Sequence, residues 1–202
     1  MSNWDSKSMQ HFENEIAELF NKGLIKYPIH LSSNNETALL EIFTGITRDD
    51  WIFCSWRSHY HCLLKGVPIE VLKEAILHGK SIALCFPEYK IFSSAIVAGQ
   101  LAIATGTAMS IKKRGAKEKV WCFLGDMTSE TGMAQTCIRF AMNHDLPITF
   151  VIEDNNISVL TDTRSVWNTS KLMYELSEFP NVLSYKYRNN YPHAGAGKRV
   201  QF

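Results

Sequence analysis

Two short runs, VWCFL at 120–124 and ITFVI at 148–152, limit this chain more than any other feature. A strand with one wet face alternates apolar and polar residues. A strand that barely alternates is covered on both faces, which is the condition of a parallel sheet lying between layers of helices. The segments around these runs supply the helices. Phe12, Ile16, Leu19 and Phe20 recur at helical spacing and predict a helix over 9–24, closed by Gly23. Residues 37–43 predict another, and 68–78 a third, with Pro68 at its start and Gly79 after its end. The small-residue stretch 95–110 and the segment 131–143 read as helices packed against a sheet, and 49–56 as an acidic turn feeding a short buried strand. The charged run KKRGAKEK at 112–119 reads as a solvated loop. Helix and strand alternate, so the expected class is α/β: three αβα layers around a mainly parallel sheet.

In such sheets ligands bind beyond the carboxyl ends of the strands. Gly125-Asp126 follows the first run and Glu153-Asp154-Asn155-Asn156 the second. Taken alone, Asp126 reads as a helix cap. Paired with an asparagine from the neighbouring strand it becomes an all-oxygen site of the kind magnesium accepts, incomplete until a ligand's phosphate oxygens join it. The pair therefore implies a diphosphate.

Composition narrows the alternatives. The 202 residues suit one unit, 1–202, with 184–202 as a partner-dependent tail outside the core. A formal charge of +1 argues against nucleic acid, and no segment approaches the roughly 20 apolar residues of a membrane span, so a soluble, cytoplasmic protein is expected. The five cysteines, Cys54, Cys62, Cys85, Cys122 and Cys137, lie in apolar runs without metal-ligand spacing and are read as buried free thiols. No G-x-G-x-x-G follows a strand, which disfavours a dinucleotide-binding protein.

A Gly-Asp followed by a helix and a strand ending in Asn, with Asp126 and Asn155 29 positions apart, resembles the thiamine-diphosphate motif, GDG and then N or NN after about thirty residues. HLSSNNETA (30–38), DDWIFCSWRSHYHCLLKGVP (49–68), AIVAGQLAIATGTA (95–108), GDMTSETG (125–132) and LPITFVIEDNNIS (146–158) occur in order. Together they make the sequence similar to the alpha subunits of thiamine-diphosphate-dependent 2-oxo-acid dehydrogenases, from about Phe12 to Thr163.

The resemblance implies a thiamine-diphosphate-binding fold with thiamine diphosphate and Mg2+ as cofactors. It makes Asp126, Asn155 and the carbonyl of Ile157 the metal ligands. Trp56 and Arg57 stand where the family contacts the diphosphate, Ala95 and Val97 where it holds the aminopyrimidine, and Gly125, Asp126, Met127 and Thr128 form the cofactor turn. His30, His59 and His61 are the catalytic candidates, since imidazole titrates near neutrality, and Glu36 aligns with a structural glutamate. The glutamate that activates the cofactor comes from a beta-type subunit in two-chain members, which implies an α2β2 partnership and a 2-oxo acid substrate. Three departures stand out. Met127 replaces the last glycine of GDG, SIALCFPEYKIFSS replaces a glycine-rich segment, and family alpha subunits continue well past the NN motif. On these rest two other readings: half of a split transketolase-like carboligase acting on ketoses, and a non-catalytic scaffold.

Overall fold

The computed structural model describes residues 4–197 and 200–202. The chain begins with helices α1 (Ser6–Asn21) and α2 (Glu36–Phe43), strand β1 (Trp51–Cys54), and helices α3 (His59–Leu64) and α4 (Ile69–Leu77). Strands β2 (Cys85–Phe86) and β3 (Ile91–Ser93) lead to helix α5 (Gly99–Arg114) and strand β4 (Val120–Gly125). Helices α6 (Asp126–Ser129) and α7 (Gly132–Asn143) precede strand β5 (Ile148–Asp154). A hairpin of β6 (Ile157–Ser158) and β7 (Thr161–Asp162), helices α8 (Thr163–Trp167) and α9 (Met173–Leu176), and strand β8 (Val182–Lys186) complete it.

Six strands form one sheet in the order β2-β3-β1-β4-β5-β8. Five run parallel, and only the edge strand β2 is antiparallel. The two apolar runs are its centre, with Val120 opposite Ile148 and Leu124 opposite Ile152. Their lack of alternation has the expected cause. Trp121, Phe123 and Val151 face a core built with Phe12, Ile16, Leu39, Leu63 and Leu72 of α1 to α4. Cys122, Leu124, Phe150 and Ile152 face the opposite core, with Leu101, Ala104 and Ala108 of α5 and Ile138 of α7. The three-layer αβα expectation holds.

Several boundaries move. Helix α1 starts at Ser6 because Asp5 and Ser8 form a reciprocal capping box, which precedes the first apolar residue of the periodic pattern. Helix α5 begins at Gly99, four residues later than expected, because Ala98 takes a left-handed conformation with φ 63°. A Cβ on Gly99 would lie 2.7 Å from Ser94 Oγ, so the turn needs glycine there. The same helix runs through Lys112–Arg114 to Gly115, converting part of the expected solvated loop into helix. Strands β2, β3 and β8 and helix α3 carried no periodic signal of their own. The described part of 184–202 is attached to the rest of the fold at both ends. Its first residues belong to β8, paired with β5, and Phe202 packs on Phe20 while its backbone bonds with Asn21. All five cysteines are free, yet Cys85 is exposed rather than buried. No helix among the described residues is long and apolar enough to cross a membrane.

Beyond β5 the chain is held by one guanidinium. Arg164 donates to both oxygens of Asp154 at 2.7 and 3.3 Å, to Asn156 Oδ1 at 2.7 Å and to Glu175 Oε2 at 2.7 Å. Burial pushes the Asp154 carboxyl up, but Arg164, the Tyr174 hydroxyl and the Asn156 N–H outweigh it and leave it below its usual value. Glu175 behaves alike: against burial, Lys186, the Leu172 N–H and Arg164 hold it down at about 2. Arg164→Ala leaves a fully buried carboxylate unpaired and is expected to cost about 3 kcal/mol in chemical denaturation. Because Glu175 is depressed, its contribution is complete above the usual 4.5 and lost as pH falls toward about 2. Amide-exchange protection of 163–176 is expected to be flat above that range and to drop within it.

Candidate diphosphate and metal site

Since β1, β4, β5 and β8 are parallel, their carboxyl ends emerge on one edge of the sheet. The chain passes from β1 outward to β3 and returns across β1 to β4, so the order reverses between β1 and β4. That is where a crevice opens in sheets of this kind. A pocket occupies the place, lined by Ser55, Trp56 and Arg57 after β1, by Gly125 to Thr128 after β4, by Glu153, Asn155, Ile157 and Ser158 around the end of β5, and by Tyr187 after β8.

Asp126 occupies the first turn of α6, after Gly125 in ordinary extended backbone. It is 2% exposed, and its Oδ2 has no hydrogen-bond partner. Burial is the main reason its carboxyl sits above the usual value. The nearby charge of Asp154 adds to this, while the Thr163 hydroxyl and Arg164 oppose it without supplying the missing bond. A buried acid with an idle oxygen beside a pocket has the chemistry to accept a hydrogen bond or a hard cation.

The two asparagines divide their work. Asn155 lines the pocket, its Oδ1 accepting from the Ile157 N–H at 3.1 Å and its amide donating to the Tyr187 hydroxyl at 3.4 Å. Asn156, left-handed at φ 60°, is spent on the clamp, donating to Asp162 and accepting from Arg164. Across from them, the buried Nε of Arg57 and indole N–H of Trp56 have no partners, leaving two donors available to an anion. Met127 does not disturb the turn. It lies in helical backbone that needs no glycine, and its sulfur accepts the Trp167 indole N–H at 3.2 Å.

The pocket thus gathers Trp56, Arg57, Gly125, Asp126, Met127, Thr128, Asn155 and Ile157. The remaining candidates lie elsewhere. Ala95 and Val97 sit in the exposed turn before α5 and do not line it. His59 is held inside the protein, Nδ1 2.9 Å from Glu13 Oε2 and Nε2 2.8 Å from Ser81 Oγ, with both ring nitrogens occupied. His61 is fully buried on Phe123, 3.4 Å from Glu153 Oε1 at an angle that makes no hydrogen bond. His30 neighbours the pocket through Trp56 and stacks on His193 at 4.2 Å. Burial, then His193 and Arg57, push its pKa down to about 3, so at neutral pH it is an uncharged imidazole rather than the proton carrier expected of it. Glu36 is buried and accepts the Tyr60 hydroxyl at 3.0 Å, a structural role.

Sequence reasoning missed Glu153, Tyr187 and His193. The last two lie on the segment taken to stand apart from the core. Glu153 could have been found, since it directly precedes the Asp-Asn-Asn and occupies the side of β5 facing Tyr185.

Replacing Asp126 by Asn removes a charge that the fold buries at a cost. In metal-free buffer near neutral pH the variant is expected to melt above the parent. A raised acid penalises the folded state above its own pKa, so the difference should shrink as pH falls toward the usual 3.8. Melting curves at a series of pH values check both sign and window; a variant that melts below the parent at neutral pH contradicts the account.

The family model for the dehydrogenase E1 component matches residues 5–176. Among curated relatives, the alpha subunit of acetoin:2,6-dichlorophenolindophenol oxidoreductase from Bacillus subtilis is 27% identical over 161 residues, covering 74% of this chain and 48% of that protein. The pyruvate dehydrogenase E1 component subunit alpha of Porphyra purpurea is 27% identical over 168 residues, with 74% and 48% covered. The acetoin:2,6-dichlorophenolindophenol oxidoreductase alpha subunit of Cupriavidus necator is 28% identical over 167 residues, with 77% and 50% covered. The chain spans about half the length of these relatives. The match takes in every pocket residue except Tyr187, and with it the chain belongs to the dehydrogenase E1 component family.

Proposed function

We propose that this chain is the diphosphate-binding, alpha-type component of a thiamine-diphosphate- and Mg2+-dependent enzyme that decarboxylates a 2-oxo acid and transfers the acyl group. A beta-type subunit completes its active site in an α2β2 assembly, and free thiols suit a cytoplasmic setting. The observation that carries the reading is the meeting, at one sheet edge, of a buried acid with an idle oxygen and two unpartnered donors. That set fits the group. Asp126, Asn155 and the Ile157 carbonyl suit a small hard cation, and Arg57 with Trp56 suits the phosphate oxygens that complete its shell.

Bound there, thiamine diphosphate supplies a nucleophilic carbon able to attack a ketone carbonyl. The chain's own residues bind and orient. Arg57 presents a planar fork to phosphate oxygens, and the Trp56 ring beside it lies 5.8 Å from that of His30. His30, uncharged at neutral pH and with an unpartnered Nδ1, serves as a hydrogen-bonding group. No acid in the pocket is spare for activating the cofactor's ring if Asp126 holds the metal and Glu153 is engaged by Tyr185, which supports a partner that brings its own.

Calorimetry with thiamine diphosphate is expected to show binding that requires Mg2+. Asp126→Ala should weaken it at least a hundredfold and Arg57→Lys about tenfold, since a point charge replaces a bidentate fork. Equal affinity of parent and Asp126→Ala refutes the site. Turnover of a 2-oxo acid should appear only on mixing with a beta-type chain.

A further inference from the structure

The six-stranded sheet ends in two unlike edges. At one, β2 has only Cys85 and Phe86 and stops at Pro87, a short edge of the kind that resists further pairing. At the other, β8 runs over Val182–Lys186 without a proline, and among the described residues only β5 pairs with it. The bonds at its two ends show which of its backbone groups are spent. Phe150 N–H donates to the Asn181 carbonyl at 2.9 Å, and Tyr187 N–H to the Asp154 carbonyl at 2.9 Å. A parallel ladder uses alternate residues of each strand, so Leu183 and Tyr185 serve β5 as well, and the backbone groups of Val182, Ser184 and Lys186 point away from the sheet. Val182 N–H is taken by the Phe179 carbonyl at 3.0 Å. The outward donors left are those of Ser184 and Lys186. Beside this edge lies a groove of about 460 Å³ between β8 and α2, whose lining includes Ala38, Ile42, Trp121, Leu183 and Tyr185. Leu183 is 46% exposed in its wall. The one charge on the strand is drawn aside, Lys186 Nζ lying 2.6 Å from Glu175 Oε1.

A strand with outward donors and acceptors beside an apolar groove is built to take another strand. β8 is its own complement. With a two-fold axis at Ser184, that residue faces Ser184 of the second copy and the two exchange N–H···O=C bonds. Each Lys186 N–H then meets the Val182 carbonyl of the second copy, so every outward donor finds an acceptor. Leu183 comes opposite Tyr185 of the second copy in a non-hydrogen-bonded pair, where side chains approach most closely and an aliphatic side chain against an aromatic ring is favourable. The two Lys186 residues lie at opposite ends of the pairing, and no like charges face each other. We propose that β8 is a homodimerisation edge: two copies of this chain pair their β8 strands antiparallel about Ser184, joining two sheets into one and covering the Leu183 grooves. The inference stands apart from the diphosphate reading. It supplies an α–α contact for the α2β2 assembly, and its test involves neither ligand nor beta-type chain.

Sedimentation of the full chain should show a dimer at micromolar concentration. Ser184→Pro removes the outward N–H and no bond to β5, so the fold should persist by circular dichroism while the dimer weakens about a hundredfold. Leu183→Glu, at an exposed position, should weaken it about tenfold by placing a charge opposite Tyr185, and it keeps the test standing should the proline variant fail to fold. In the parent, amide-exchange protection of Ser184 and Lys186 should rise with protein concentration, whereas Leu183 and Tyr185, already bonded to β5, should not change. A parent that stays monomeric up to roughly 100 μM overturns the proposal. A dimer of unchanged affinity in both variants overturns it too, by placing the contact elsewhere. Protection of Ser184 and Lys186 that appears only when a beta-type chain is added assigns the edge to that chain and overturns the pairing of two copies.

Discussion

The parallel ladder joining β1, β4 and β5 is the constraint on which everything else depends. Trp51 pairs with Val120, and Val120 in turn with Ile148, so the three strands start in step. Because they differ in length by only a few residues, the chain leaves each within a few ångströms of the others. Arg57, Asp126 and Asn155, nearly a hundred positions apart in sequence at the extremes, arrive at one pocket. A one-residue slip of β4 against β5 would turn Trp121 and Phe123 into the wrong core layer. The hydrophobic pattern that fixes the core thus also fixes the site.

Around that frame the polar interactions separate into two kinds. Those that are complete hold structure: Arg164 on Asp154, Asn156 and Glu175, and Glu13 with Ser81 on either side of His59. Others are left incomplete, and among these Asp126 Oδ2, Arg57 Nε and the Trp56 indole belong to residues that line the pocket. Buried polar groups without partners cost the fold free energy. Three on residues lining one crevice, an acid and two donors, make that crevice a candidate binding place. The same distinction sorts the histidines. His59 has both nitrogens satisfied within the protein, whereas His30 and His193 stack beside Trp56 with open Nδ1 positions.

How far these features could be read in advance follows from their physics. The central strands, the helices of the second core and the meeting of Asp126 with Asn155 at one pocket were legible because each leaves a local mark: apolar continuity, helical spacing, an acid or amide at a strand's end. The start of α5 was not, since it follows a left-handed Ala98 and a glycine packed so closely on Ser94 and Ile96 that a Cβ would not fit, neither of which small-residue composition announces. Strand β8 was not legible either. Its residues Leu183 and Tyr185 look irregular in sequence and become a strand only by pairing with the already formed edge of β5. His59 and His30 illustrate the same limit for chemistry. Both carry the same side chain within stretches that resemble the family, and only burial and neighbours assign one to the core and the other to the margin of the pocket.

By itself the sequence determined the layered α/β class, the two doubly covered strands, and the arrival of Asp126 and Asn155 at neighbouring strand ends, because hydrophobic periodicity and residue chemistry are local properties; Arg57 was placed with them by the family resemblance. Tertiary structure alone decided that Ala95, Val97, His59 and His61 stand away from the pocket and that His30 is uncharged at neutral pH. It also brought Glu153 and Tyr187 to the pocket and His193 beside it. Electrostatic environment and proximity arise from strands brought together across the fold, and no stretch of sequence contains them.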